Sequence, residues 1–91
     1  MGVFLITYDL NNEDSRPNIT GDIKKFKSWA KLSESSYAVN TNLSAEAVYN
    51  RMKKFLDADD NLYVIGLRKP LVGQGSIKVN KWLETNLPEE G

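Results

Sequence analysis

Apolar and polar positions switch between two periods along this chain, and the switches divide it into elements. Residues 2–10 are apolar, β-branched or aromatic on both faces until Asp9. That pattern predicts an interior strand, ending in the polar run Asn11-Asn12-Glu13-Asp14-Ser15. Residues 11–18, which include Pro17, read as a loop. Ile19, Ile23 and Phe26 then recur at helical spacing with Lys24, Lys25 and Lys27 turned outward. A helix over about 19–30 follows, with Asn18 as its N-cap and Gly21 weakening its first turn. From Lys31 to Asn42 the period returns to two, with Tyr37 and Val39 on one face and Ser36, Ala38 and Asn40 on the other. The run Ser33-Glu34-Ser35-Ser36 is either a turn between two short strands or a bend in one long strand.

Ser44 caps a second predicted helix over about 45–56, whose stripe is Ala45, Val48, Met52, Phe55 and Leu56. Arg51, Lys53 and Lys54 lie off that stripe. Asp57-Ala58-Asp59-Asp60-Asn61 ends it, and residues 62–67 form a short apolar run that predicts another interior strand. After Pro70, Gly73-Gln74-Gly75-Ser76 reads as a turn, and Val79, Trp82 and Leu83 predict a short amphipathic helix near 78–87. Residues 88–91 are expected to fray. The element order predicts an α+β, ferredoxin-like sandwich: a small antiparallel sheet with two helices on one face plus a short C-terminal helix, one domain over 1–87. The second sheet face needs cover, and a second protomer is the economical source.

Composition narrows the chemistry. Ninety-one residues suit one domain, with 41% apolar and 26% charged positions. Twelve Lys plus Arg balance twelve Asp plus Glu, so no strongly basic nucleic-acid footprint is present. The absence of Cys and His excludes disulfides, thiolate sites, Ser/His triads and the usual zinc ligands. Carboxylates, hydroxyls, amides, Lys, Arg or a hard metal ion remain. No run reaches the roughly 18 apolar residues of a membrane span, and the apolar start lacks a basic flank, so a cytoplasmic protein is expected.

Asp9 is the first candidate for chemistry. A carboxylate at the exit of a buried strand stands on a rigid platform with its oxygens toward solvent, as a ligand for Mg²⁺ or Mn²⁺ requires. Its other reading is a turn cap bonded to amides near Asn11. Tyr8, Asn11 and Ser36 are candidate substrate contacts, each with a structural reading in packing, a solvated loop or a strand start. Asn12, Glu13 and Asp14 are further oxygen donors on the same loop. The cations of the two helices and Arg68-Lys69 offer phosphate contacts. Trp29 and Trp82 offer base stacking or packing.

Three segments together resemble the small CRISPR-associated endoribonuclease superfamily, closest to its compact SinR-like branch. They are Ile6-Thr7-Tyr8-Asp9-Leu10; Ser36-Tyr37-Ala38-Val39 leading to Leu43-Ser44-Ala45-Glu46; and the 57–60 run followed by Leu62-Tyr63-Val64-Ile65-Gly66-Leu67. VapD-type toxin ribonucleases share that architecture. The resemblance implies a ferredoxin-like fold and a homodimer in which Asp9 of each protomer meets its twin around a divalent metal. It implies either cleavage of a phosphodiester, in RNA or DNA, by a metal-activated water, or a non-catalytic scaffold for DNA. The rival expectation is a catalytically silent dimeric protein-interaction module of the same fold, in a CRISPR, toxin–antitoxin or phage setting. Tyr37 and Ala38 depart from the family's usual aliphatic residue and Phe after the serine. The helical pattern at 78–87 departs from its strand-exchanging C-terminus.

Overall fold

The structure, a computed structural model, describes residues 2–90. Strand β1 (Gly2–Asp9) leads through a 3-10 turn (Glu13–Ser15) into helix α1 (Arg16–Ile23). Strands β2 (Ser28–Ser33) and β3 (Ser36–Thr41) form a hairpin, followed by α2 (Ala45–Lys53), β4 (Asn61–Gly66) and α3 (Ile77–Asn86). The four strands make one antiparallel sheet in the order β2-β3-β1-β4. This is the α+β, ferredoxin-like architecture that the element order predicts.

The first helix is shorter than its apolar spacing suggests. It begins at Arg16 with Pro17 in its first turn, where a missing amide hydrogen costs nothing. Asn18 is therefore inside the helix, whose N-cap position is Ser15, without a side-chain cap bond; Asn12 caps the preceding 3-10 turn, accepting from the Asp14 amide at 2.9 Å. The last helical bond runs from the Lys24 amide to the Thr20 carbonyl, and Phe26 returns its amide to the Ile23 carbonyl at 3.0 Å. Phe26 keeps its helical spacing and is buried, but from a turn. Trp29 and Ala30 belong to β2, opposite Val39 and Ala38. The serine run resolves as a hairpin turn between two strands, with Ser33 opposite Ser36.

Ser44 caps α2 as expected, its Oγ accepting from the Ala47 amide at 3.1 Å. The last strand is not interior. β4 is bonded to β1 alone and forms a sheet edge. A short apolar run of this kind reads the same at an edge as in a centre when its side chains pack on only one face.

Parity along β1 assigns its side chains to two layers. Phe4, Ile6 and Tyr8 face α1 and α2 and meet Ile19, Ile23, Val48 and Met52 in the main core. Val3 faces the other way, with Ala38, Leu83 and Leu87. Helix α3 is thus a lid on the second sheet face. Trp82 Nε1 donates to Ser28 Oγ at 2.9 Å, and Asn40 donates to Asn86 Oδ1 at 2.8 Å. Pro88 and Glu89 lie against the segment after β4: the Lys69 amide donates to the Pro88 carbonyl at 2.8 Å, and Lys69 Nζ is 3.2 Å from Glu89. Gly91 lies outside the described residues.

One ion pair joins the two core helices. Asp22, buried, accepts from Arg51 Nε at 3.3 Å, while the Arg51 guanidinium stacks over Phe26 at 4.1 Å. The planar cation covers an apolar ring and neutralises a carboxylate at once.

Met52 is fully buried between the helices and the sheet. Met52→Ala is expected to lower unfolding free energy by about 2–5 kcal/mol in urea titrations. Val72→Ser, at a side chain 95% exposed, is expected to change it by about 0.5 kcal/mol or less.

Candidate functional site

The second sheet face is covered at one end only. Helix α3 lies over Val3 and Ala38, whereas Leu5 and Thr7 further along β1 are half-buried and Asp9 is exposed. Register places Asp9 opposite Asn61, and Thr7 between Tyr63 on β4 and Ser36 on β3. Leu5 stands opposite Ile65. Asp9, Asn61, Thr7, Ser36, Tyr63 and Ile65 therefore share one open face. Tyr63 and Ile65 remain 63% and 49% exposed, a large fraction for such side chains.

The sequence candidates divide by parity. Ser36 joins Asp9 on the open face, with its Oγ 2.6 Å from Ser33 Oγ across the hairpin. Tyr8 points to the opposite face, buried in the main core, where its hydroxyl donates to the Glu34 carbonyl at 3.1 Å. Burial, more than the neighbouring Tyr37, raises its pKa above the ordinary phenol value. Arg16 lies 5.5 Å over the Tyr8 ring, bonds the same Glu34 carbonyl and pairs with Glu13 at 2.6 Å. The Glu13 bond lowers that carboxylate's pKa and raises that of Arg16. Tyr8 and Arg16 thus brace the β2–β3 turn rather than the Asp9 surroundings.

Asn11 is exposed, and its backbone is in use. Its amide donates to Asp60 Oδ1 at 2.7 Å, and the Asp57 amide donates to Asp60 Oδ2 at 2.8 Å. The acidic run before β4 therefore closes its own turn and clips it to the loop after β1. Asp9, Asn61 and this clip lie at the same end of the sheet. Thr7, Asn61 and Tyr63 escape the sequence reading because each takes meaning from cross-strand register. Period-two parity on β1 and β4 was the only available signal.

Asp9 brings one carboxylate, with the Asn61 amide opposite. One or two carboxylates plus waters and substrate phosphates suit Mg²⁺, so the donor type fits a hard ion. Among the described residues, no group of three or more acidic side chains converges to hold a metal. Several of the remaining candidates have structural partners. Lys25 and Arg51 flank Asp22, and Lys24 lies 5.7 Å over Trp29. Lys69 pairs with Glu84 and Glu89. Trp29 packs on Tyr37 with centroids 6.0 Å apart, and Trp82 docks α3. Gly73 and Gly75 belong to the irregular segment before α3.

No protein-family model matches the chain. Its structure shows a small α+β protein with a four-stranded antiparallel sheet, and no described helix is long and apolar enough to cross a membrane.

The Asp60 clip carries a pH signature. The Asp57 amide, followed by those of Asn11 and Asn12, holds the Asp60 carboxyl below the ordinary Asp value. A depressed folded-state pKa stabilises the fold above the unfolded value, near 3.9, and that contribution fades as pH falls through the folded value. Urea midpoints measured from pH 6 downward are expected to fall less steeply below about pH 4 in Asp60→Asn than in the parent.

Proposed function

We propose that this chain is a cytoplasmic homodimer of the CRISPR-associated endoribonuclease and SinR-like type, a metal-dependent endonuclease acting on RNA or DNA phosphodiesters. The observation that carries the reading is the position of Asp9. It is an exposed carboxylate ending the central strand, on the half of the sheet face that α3 leaves open. Leu5, Tyr63 and Ile65 supply apolar surface beside it for a second copy to cover. Two such faces related by a two-fold would contribute a carboxylate each, doubling the donor set of one protomer. Bound Mg²⁺ or Mn²⁺ would supply an acidified water and charge stabilisation at the phosphate. Asp9 would hold it, with the Asn61 amide and the hydroxyls of Thr7 and Ser36 as neutral hydrogen-bonding groups along the same face.

A second reading is favoured by the missing cluster of metal-ligating side chains among the described residues and by the balanced charge. In it the same dimer is catalytically silent and serves as a protein-interaction or scaffold module.

Cleavage of single-stranded RNA and duplex DNA with Mg²⁺ or Mn²⁺ separates the two. Asp9→Ala, with its fold verified by circular dichroism, is expected to lose about 100-fold or more, since even outer-sphere partners of a metal cost 10–100-fold. No cleavage by the parent, or equal cleavage by both, would leave the silent module. The paired change Tyr63→Glu and Ile65→Glu is expected to convert a dimer to a folded monomer in sedimentation experiments. A monomeric parent would end both readings.

A further inference from the structure

The opposite edge of the sheet carries a feature unrelated to Asp9. β2 is the outermost strand on that side, so one edge of its backbone has no strand beside it. Between this edge and α3 run two adjoining cavities of about 650 and 260 Å³, which share Lys31 and Val79 in their walls. Together they form one groove along Trp29–Leu32. Leu32, Leu71, Val79 and Leu83 line the larger cavity.

The two cavities differ in charge. The smaller is lined by the two tryptophans Trp29 and Trp82, with Lys31 and Lys78 in its wall. Lys31 is 3.1 Å from Glu34, while Lys78 makes no ion pair among the described residues. Among the described residues, the only acidic side chain bordering the groove is Glu84, which Lys69 already engages at 3.6 Å. The smaller cavity therefore has in its wall one cation unpaired among the described residues, Lys78, next to a larger cavity that combines apolar side chains with Gln74, Ser76 and Asn80.

We propose that this groove binds an extended peptide of a partner protein, which adds a strand to the free edge of β2. The partner segment carries a bulky apolar side chain for the larger cavity and an acidic one for the smaller. In an extended chain residues i and i+2 face the same way, about 6.6–6.8 Å apart, so such a pair reaches adjoining pockets. Backbone bonds to β2 would supply affinity and the two pockets specificity. Charge complementarity selects an acidic partner.

A second copy of this chain is a poor occupant. The register of β2 against β3 shifts between Lys31 and Ser33, leaving a bulge, and Lys31 is exposed on the same edge. Bulges and edge lysines are the devices that stop open-ended strand pairing between like molecules. They leave only the short stretch before the bulge available, which suits a peptide of a few residues.

The test uses the full chain and a displayed library of random heptapeptides. Enriched sequences are expected to pair Asp or Glu with Leu, Ile or Phe two positions away. Their binding, read by fluorescence anisotropy on synthetic copies, should weaken at least tenfold in Lys78→Glu and in Leu32→Asp. Both substitutions are at exposed positions, and circular dichroism checks their fold. N-methylation of alternate backbone amides in the peptide should also abolish binding, a loss that simple charge attraction would not show. Failure to enrich any sequence, binding that survives both variants, or binding indifferent to N-methylation would overturn the proposal. So would groove variants that change only self-association or oligonucleotide binding.

Discussion

Strand β1 is bonded on both sides, to β3 and to β4, so its side-chain parity is set twice over. Phe4, Ile6 and Tyr8 are committed to the helices α1 and α2, and Val3, Leu5, Thr7 and Asp9 to the other face. A slip of one residue would exchange the two sets, placing Asp9 in the main core and Ile6 on the open face. Burying an unpaired carboxylate while exposing a fully buried aliphatic is unfavourable twice, so the register is strongly specified. The exposure of Asp9 is a consequence of that lock.

The same parity explains which parts of the molecule are legible from sequence. Helix α2 is readable because Ser44, Val48 and Met52 report one cap and one stripe, both local properties. The central strand is readable because it is apolar on both faces. Helix α1 is misread at its end, since Phe26 occupies a helical position in the pattern but is buried from a turn. Local spacing cannot distinguish those cases when the next residues, Ser28 to Ala30, are captured by pairing with β3. The edge position of β4 is likewise a property of the whole sheet, which no window of six residues contains. Of the site, Asp9 and Ser36 are legible as polar residues at strand ends. Asn61, Thr7 and Tyr63 become their neighbours only through register.

Many of the polar groups that look functional in the sequence are consumed by the fold. Asp60 accepts the amides of Asn11 and Asp57, Arg16 spans Glu13, Tyr8 and the Glu34 carbonyl, and Arg51 joins Asp22 to Phe26. A domain of this size has a small core, and clips of this kind hold loops that apolar burial does not reach. Asp9 stands apart because its strand is already fixed by two neighbours and needs nothing from its carboxylate.

Helix α3 then decides how the second face is divided. By packing Leu83 and Leu87 on Val3 and Ala38 it buries one end of that face, and Trp82 bonds it toward β2. This placement leaves two unrelated surfaces. At the β4 side an apolar strip remains beside Asp9, and at the β2 side the helix stands off the strand edge far enough to form a lined groove. The two sheet edges differ in the same sense. β4 carries no charge, no proline and no bulge, whereas β2 has a bulge and Lys31. An uncharged edge next to an apolar face lacks the devices that discourage strand pairing, whereas the β2 edge has two of them, a bulge and Lys31. One helix, α3, set asymmetrically on a four-stranded sheet, is sufficient to give the two sides of a 91-residue chain different surface characters.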